Sequence, residues 1–396
     1  MYLARLRLSN FRNYARLDFA PKAGVTLIHG SNAQGKSNLL EAIYLLATTR
    51  PARGTDAELI RWQAAAEGFG VARLNGEAER KAGPVTVDIT IAPREENGGR
   101  DERRGGNRAT KRLKVNGVAR RASDVIGQIA AVLFTASDID LITGPPASRR
   151  RYLDITISQT DPIYVRALQR YQRVLLQRNT LLRRIEEGKA RADELGFWDE
   201  QLVHEGAQIM HTRQQTMAAL EIAAREAHSS LSGGRERLTI AYAPQTPLPD
   251  EPSPALGEIE TRLRTGLRTQ QRREIALGQT LVGPHRDDLQ FSLDGVLVSA
   301  FGSRAQQRTA ALALRLAETA FLTSADRDPP LLLLDDIFSE LDEMRRAAVL
   351  GALGGAEQVF VTTAEPDRFG PEFRRAAAVY EVCAGVLRSE AEGAVS

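Results

Sequence analysis

The sequence predicts an α/β fold in which a mixed sheet with a phosphate-loop core is interrupted by a short antiparallel helical hairpin. Three observations predict it. Gly30-Ser31-Asn32-Ala33-Gln34-Gly35-Lys36-Ser37 is a G-x-x-x-x-G-K-S loop, set between an apolar run at 25–29 and a helical run at 38–46. Residues 329–336 form a second apolar run, ending in the acids Asp335 and Asp336. Between them Tyr164, Leu168, Tyr171, Leu175 and Leu182 recur at helical spacing up to a reversal at 186–190. Leu195, Leu202, Ile209, Met210, Met217 and Leu220 repeat the pattern beyond it.

The loop chemistry follows from the residue types. Glycines let backbone N–H groups converge on phosphate oxygens, and a helix N-terminus adds its positive dipole. Lys36 then holds the β- and γ-phosphates of ATP, and Ser37 ligates Mg²⁺. Asp335 joins the Mg²⁺ shell and Asp336 polarises the attacking water. Residues 359–363 are a further strand ending in hydroxyls, which makes Thr363 a candidate γ-phosphate sensor. A glycine-rich turn or a buried strand with a polar end explains each run singly, but not both together.

Taken in order, Leu3, Leu6 and Leu8 start a strand and Leu17 and Phe19 mark a second. Val85, Val87, Ile89 and Ile91 alternate, and Asn116-Gly117 reads as a hairpin turn. The polar, glycine-rich stretch 94–108 between these runs reads as a disordered tip. Residues 130–134 form another strand. The hairpin arms of ~30 residues each reach ~45 Å. A Pro-rich connector at 244–254 leads to a basic helix at 258–276, then to a hairpin around Asp294-Gly295. The expected parts are 1–147 and 277–396 as the two halves of the head, with 148–276 as the helical arm.

The loop and the acid pair stand at opposite ends of the chain with a helical hairpin between them. That topology is typical of ABC-type ATPase heads of the chromosome-maintenance class, which complete their site with a signature motif from a second subunit. Two stretches compete for that role. Leu231-Ser232-Gly233-Gly234 is followed by a strand-like run. Ser303 opens an unambiguous helix, where the dipole and free N–H groups can face a phosphate. Ser303 and Gln306 are therefore the expected signature residues.

Composition excludes several classes. With 42% hydrophobic and 26% charged residues the chain is an ordinary soluble type, and no run approaches the ~20 apolar residues of a membrane span. The one cysteine, Cys383, fits a reducing cytoplasm. The net charge of +3 is small, but its distribution is uneven. From Arg149 to Arg184 there are nine basic residues against two acids, Asp154 and Asp161. Arg149, Arg150, Arg151, Arg166, Arg170 and Arg173 are the candidate DNA contacts, of the phosphate-reading kind. No zinc finger or helix-turn-helix is visible.

These residues together resemble the RecF family. The resemblance runs through Asn10-Phe-Arg-Asn-Tyr14, the loop with Leu40-Glu-Ala-Ile43, Arg149-Arg-Arg-Tyr-Leu-Asp154, Gly283-Pro-His-Arg-Asp-Asp288, the 303–307 signature and the acids through Asp342. It implies an ATP-binding, DNA-binding protein of recombinational repair, replication and SOS induction. Such a protein dimerises with ATP and aids RecA loading at gaps with RecO and RecR. Two departures stand out. Ala305 replaces the usual signature glycine, and Pro51-Ala52 replaces a more polar stretch. The alternative is the ATPase subunit of another SMC- or Rad50-like complex, but those carry far longer coiled coils. An ABC transporter ATPase is disfavoured by the basic arm.

Overall fold

The computed structural model describes residues 1–66, 70–93, 109–247, 254–323 and 327–390. The expected tip at 94–108 and most of the 244–254 connector lie outside them. The described chain forms two compact units: Met1–Ser137 with Leu322–Ser396, and Asp138–Phe321.

The first unit opens with β1 (Tyr2–Phe11), β2 (Tyr14–Phe19) and β3 (Gly24–His29), followed by the loop and helix α1 (Lys36–Thr48). After the short α2 (Trp62–Ala66) come β4 (Ala72–Glu79), β5 (Val85–Pro93), β6 (Ala109–Val115), β7 (Val118–Arg120), the short α3 (Ala122–Val125) and β8 (Ala131–Thr135). The second unit holds α4 (Asp140–Thr143), α5 (Pro146–Ser158), α6 (Pro162–Glu186), α7 (Leu195–Ser232), β9 (Leu238–Ala243) and α8 (Leu256–Leu277). It continues with β10 (Asp288–Leu293), β11 (Val296–Leu297), α9 (Val298–Phe301) and α10 (Arg304–Thr323). The chain then returns to the first unit as β12 (Leu331–Asp335), α11 (Glu343–Leu353), β13 (Gln358–Thr363), α12 (Pro371–Ala376), β14 (Ala378–Cys383) and β15 (Val386–Ser389).

Two sheets build the first unit. One is antiparallel, in the order β2-β1-β4-β5-β6-β7. The other runs β15-β14-β3-β13-β12-β8, parallel except for β15. Strands β12 and β13 are buried along nearly their whole length, with Leu331–Leu334 and Val359–Val361 as their apolar runs, because central parallel strands are covered on both faces. Helix α1 lies between the sheets, touching β4 and β5 on one side and β8, β12 and β13 on the other. That explains why it is apolar nearly all round. Gly76 of β4 is needed there, since a Cβ would come within 2.5 Å of Leu46.

The helical hairpin is present, with arms of unequal length. Helix α6 has 25 residues and α7 has 38, or ~38 and ~57 Å at the usual helical rise. The three-part division needs two corrections, the first being that residues 138–147 fall in the arm's unit and not in the first half of the head. Second, residues 277–321 pack with the helical arm, not with the loop-bearing sheets. β10 pairs with β9, Thr156 of α5 donates to Glu318 of α10, and Tyr152 donates to the Leu314 carbonyl. The expected signature therefore belongs to the arm's unit, which runs from Asp138 to Phe321.

Candidate nucleotide site

The loop is shaped from both ends of the first unit. Gly30 and Gly35 adopt φ of 150° and 120°. A Cβ on Gly30 would meet the Val382 carbonyl of β14 at 2.4 Å, and one on Gly35 would meet the Asn13 amide at 2.5 Å. Asn13 Nδ2 donates to the Gln34 carbonyl at 2.8 Å, as does the Gly385 N–H at 3.0 Å. The Ala384 N–H donates to Gln34 Oε1 at 2.7 Å, and Tyr14 Oη donates to the Gly35 carbonyl at 3.0 Å. Arg12 forks onto Glu41 of α1 at 2.8 and 3.0 Å. The Asn10–Tyr14 motif thus holds the loop and its helix in place. Ser31, Asn32 and Ala33 stay exposed at the loop crest.

Four charged or hydroxylic groups converge on this loop. Lys36 Nζ spans its mouth, donating to the Gly30 and Ser31 carbonyls at 2.6 and 3.0 Å. Burial pushes the ammonium below the usual lysine range, while Asp336 and Asp335 pull it back up. Ser37 Oγ donates to Asp335 Oδ1 at 2.8 Å, which brings together two groups from opposite ends of the sequence. Asp336 follows at φ 50°, a left-handed conformation that turns the chain sharply off β12.

Of the two hydroxyls that end β13, the one that reaches the acid pair is Thr362. Its Oγ1 donates to Asp335 Oδ1 at 2.9 Å and accepts the Asp336 N–H at 3.1 Å. Thr363, the expected sensor, is buried, and its Oγ1 accepts the Glu365 N–H. Adjacent strand residues face opposite ways, so register alone decides between the two threonines.

In the second unit the expected signature residues begin α10 with a reciprocal cap. Ser303 Oγ accepts the Gln306 N–H at 3.2 Å, and Gln306 Oε1 accepts the Ser303 N–H at 2.7 Å. Ala305 lies in the exposed first turn, with its carbonyl accepting the Thr309 hydroxyl at 2.8 Å. The competing Ser232 closes α7 instead. It is buried, and its carbonyl accepts Arg235 Nε. A helix C-terminus presents carbonyls, which is the wrong end for an anion.

The arginine clusters divide into two kinds. Arg149 is buried and forks onto Asp288 at 2.6 and 2.8 Å, and Arg150 donates to the Asp287 carbonyl at 2.6 Å. Arg170 forks onto Glu205 of α7. Arg149 and Arg150 are committed to the arm's own acceptors, which corrects the expectation that they offer phosphate contacts, whereas Arg170 stays exposed beside Glu205. Arg151, Arg166 and Arg173 are exposed, as are Arg268 and Arg272 on α8. Arg178, which breaks the apolar seam, is wholly buried and bridges Asp199, Glu274 and Thr280. The Gly283–Asp288 motif is also structural: burial pushes His285 down to about 4, leaving a neutral ring that accepts from Tyr171 Oη and donates to the Thr280 carbonyl.

No described helix is long and apolar enough to cross a membrane. Cys383 is exposed and unpaired.

Comparison with known proteins places this geometry. The family model of the RecF/RecN/SMC N-terminal domain matches residues 2–386. The chain is 42% identical over 395 residues to the DNA replication and repair protein RecF of Chloroflexus aggregans, covering 98% of this chain and 99% of that one. It is 38% identical over 392 residues to the protein of that name from a Synechococcus species, covering 98% and 97%. A solved structure described as the recombination mediator protein RecF with ATP in the RecFOR pathway superposes with a TM-score of 0.86 at 30% identity, over 98% of this chain and 97% of that one. An Smc head bound to the C-terminal winged-helix domain of ScpA shares the fold at a TM-score of 0.50 and 14% identity, over 98% of this chain and 97% of that one. Similarity of that depth along the whole chain, carried on the same ATPase-head fold, makes this chain a member of the RecF family within the RecF/RecN/SMC group.

Proposed function

We propose that this chain is an ATP-switched DNA-binding protein of recombinational repair and replication. ATP binds the loop, and two copies close head to tail so that Ser303 and Gln306 of one cover the nucleotide of the other. The observation that carries the reading is the convergence of Lys36, Ser37, Asp335 and Asp336 on a loop whose glycines admit no side chain. Ser37 and Asp335 supply hard oxygen donors at hydrogen-bond distance, a set suited to Mg²⁺. Held by Ser37 and Asp335, such an ion would supply charge neutralisation at the phosphates. Lys36 holds those phosphates, Thr362 orients Asp335, and Asp336 takes the proton of the attacking water, with slow, DNA-stimulated turnover. The relatives' names support a role in DNA replication and repair, and the RecFOR description of a solved relative supports action with RecO and RecR. Gapped or single-stranded DNA as the substrate, aid to RecA and SOS induction extend that reading.

The test is complementation. Lys36→Ala and Ser303→Arg proteins are each expected to lack ATPase activity. Mixed, they form one site with an intact Lys36 and an intact Ser303, so activity returns. Cross-linking followed alongside reports whether the mixed dimer closes. A closed mixed dimer without activity would refute sharing of the site between subunits. Ser232→Arg should be active alone, since Ser232 lies at a helix C-terminus.

DNA contact is electrostatic in this reading, carried by the exposed Arg151, Arg166 and Arg173 together with Arg268 and Arg272. Log affinity for duplex should fall with log salt by ~0.9 per neutralised phosphate. Replacing Arg166 and Arg173 together should flatten the slope by about two contacts. Replacing Arg149 should lower arm stability and leave the slope unchanged. A slope indifferent to Arg166 and Arg173 would remove α6 from the DNA surface.

A further inference from the structure

The signature cap does not end with Ser303 and Gln306. Gln306 has one amide, and both its ends are engaged. Oε1 accepts the Ser303 N–H, while Nε2 donates to Glu236 Oε1 at 2.8 Å. The acceptor therefore fixes which way the amide faces. Without it, the amide is free to turn over and release the serine N–H.

Glu236 is placed by the end of the long arm helix. Helix α7 stops at Ser232, and Gly233 and Gly234 follow at φ 67° and 73°. The Gly234 N–H donates to the Ser229 carbonyl at 2.8 Å, and Arg235 Nε donates to the Ser232 carbonyl at 3.0 Å. On the far side, the Arg237 N–H donates to Asp294 Oδ1, and the Asp294 N–H returns to the Arg237 carbonyl. Glu236 thus sits between two hydrogen-bonded clamps. His228, fully buried on the last turns of α7, lies 3.9 Å from its carboxylate.

We propose that Glu236 is a positioning residue that couples the arm to the signature: a shift of α7 moves Glu236, turns Gln306, and sets whether Ser303 is held ready for the partner's nucleotide. The serine-glycine-glycine turn at 232–234, which resembles a signature by letters, serves the true signature as its mechanical input. This inference rests on the proposed function, because it supplies the route by which DNA on the arm regulates the ATP-closed dimer. The bistable element is the Gln306 amide, whose two orientations differ by exchange of its ends.

The experiment measures the dimer dissociation constant by ultracentrifugation with a non-hydrolysable ATP analogue, with and without gapped DNA. Site couplings of this type change an affinity by about 5- to 150-fold, and the parental protein should show a DNA effect in that range. Glu236→Ala should bring the DNA effect close to one while ATP binding to the monomer is unchanged. Glu236→Gln retains an acceptor for Gln306 Nε2 and should keep most of the effect. Gln306→Leu breaks the same link from the other side, and the Glu236→Ala/Gln306→Leu double variant should lose no more than either alone. If Glu236→Ala does not fold, Glu236→Leu, which fills similar space but offers no acceptor to Gln306 Nε2, carries the test. A purely structural Glu236 would lower the melting temperature and leave the DNA effect intact, which would overturn the inference alone. A parental protein with no ATP-linked dimer, or a dimer indifferent to DNA, would overturn the functional reading and this inference with it.

Discussion

Asp336→Asn should bind ATP as tightly as the parent and hydrolyse it at least ~100-fold more slowly, since a positioned general base contributes about that much or more. The substitution is chosen for its backbone. Residue 336 sits at φ 50°, where asparagine is among the most tolerant side chains, and its N–H stays bonded to Thr362 Oγ1. The dimer should persist, because ATP is held but not spent. Lys36→Ala should do the opposite. Removing the ammonium that spans Gly30 and Ser31 leaves phosphate charge unmatched, and ATP affinity should fall about 100-fold, equivalent to ~3 kcal/mol. Titration with a fluorescent ATP analogue and single-turnover hydrolysis separate the two outcomes. Parental turnover by Asp336→Asn would remove Asp336 from the chemistry.

The second large effect is on folding. Arg178→Ala should destabilise the arm by ~3–5 kcal/mol, because it strands Glu274, which is wholly buried, without its cation. Asp199 is 22% exposed and can turn to water, so Glu274 sets the cost. Replacing both partners with apolar residues, Arg178→Met with Glu274→Leu, should recover most of the loss. Urea unfolding and hydrogen exchange in α6, α7 and α8 measure it. A single variant as stable as the parent would mean that Glu274 is held well enough by the Leu281 N–H, its other donor at 2.7 Å.

Local patterns carried the sequence reading a long way. The loop, the acids, the hairpin and the helix that Ser303 opens all rest on short-range rules of glycine spacing, strand ends and helix periodicity. What escaped was decided by register and long-range pairing. Arg149 and Asp288 sit 139 positions apart, so nothing in the basic run showed that its first arginine is already neutralised. Thr362 and Thr363 differ only in which face of β13 they occupy. Asn13 and Tyr14 entered only as part of the family resemblance, and their hold on Gln34 and Gly35 needed the fold to bring them against the loop. The head boundary was misplaced because α10 follows the signature but packs on α5, a contact that helical periodicity cannot address.

The position of β3 has a consequence for biosynthesis. The strand that launches the nucleotide loop lies between β13 and β14, both made more than 300 residues later. The Ala384-Gly385 turn that grips Gln34 emerges later still. A ribosome that has translated the loop, the antiparallel sheet and the entire arm has still not supplied either neighbour of β3. Domains generally fold as units during synthesis at about 5–20 residues per second, so β3 waits roughly 15–70 s for its partners. The arm's unit is contiguous in sequence and can fold in that interval, ahead of the sheet that flanks it in the chain. Nascent chains stalled before residue 358 are therefore nucleotide-blind, and ATP competence appears only once the closing strands leave the tunnel.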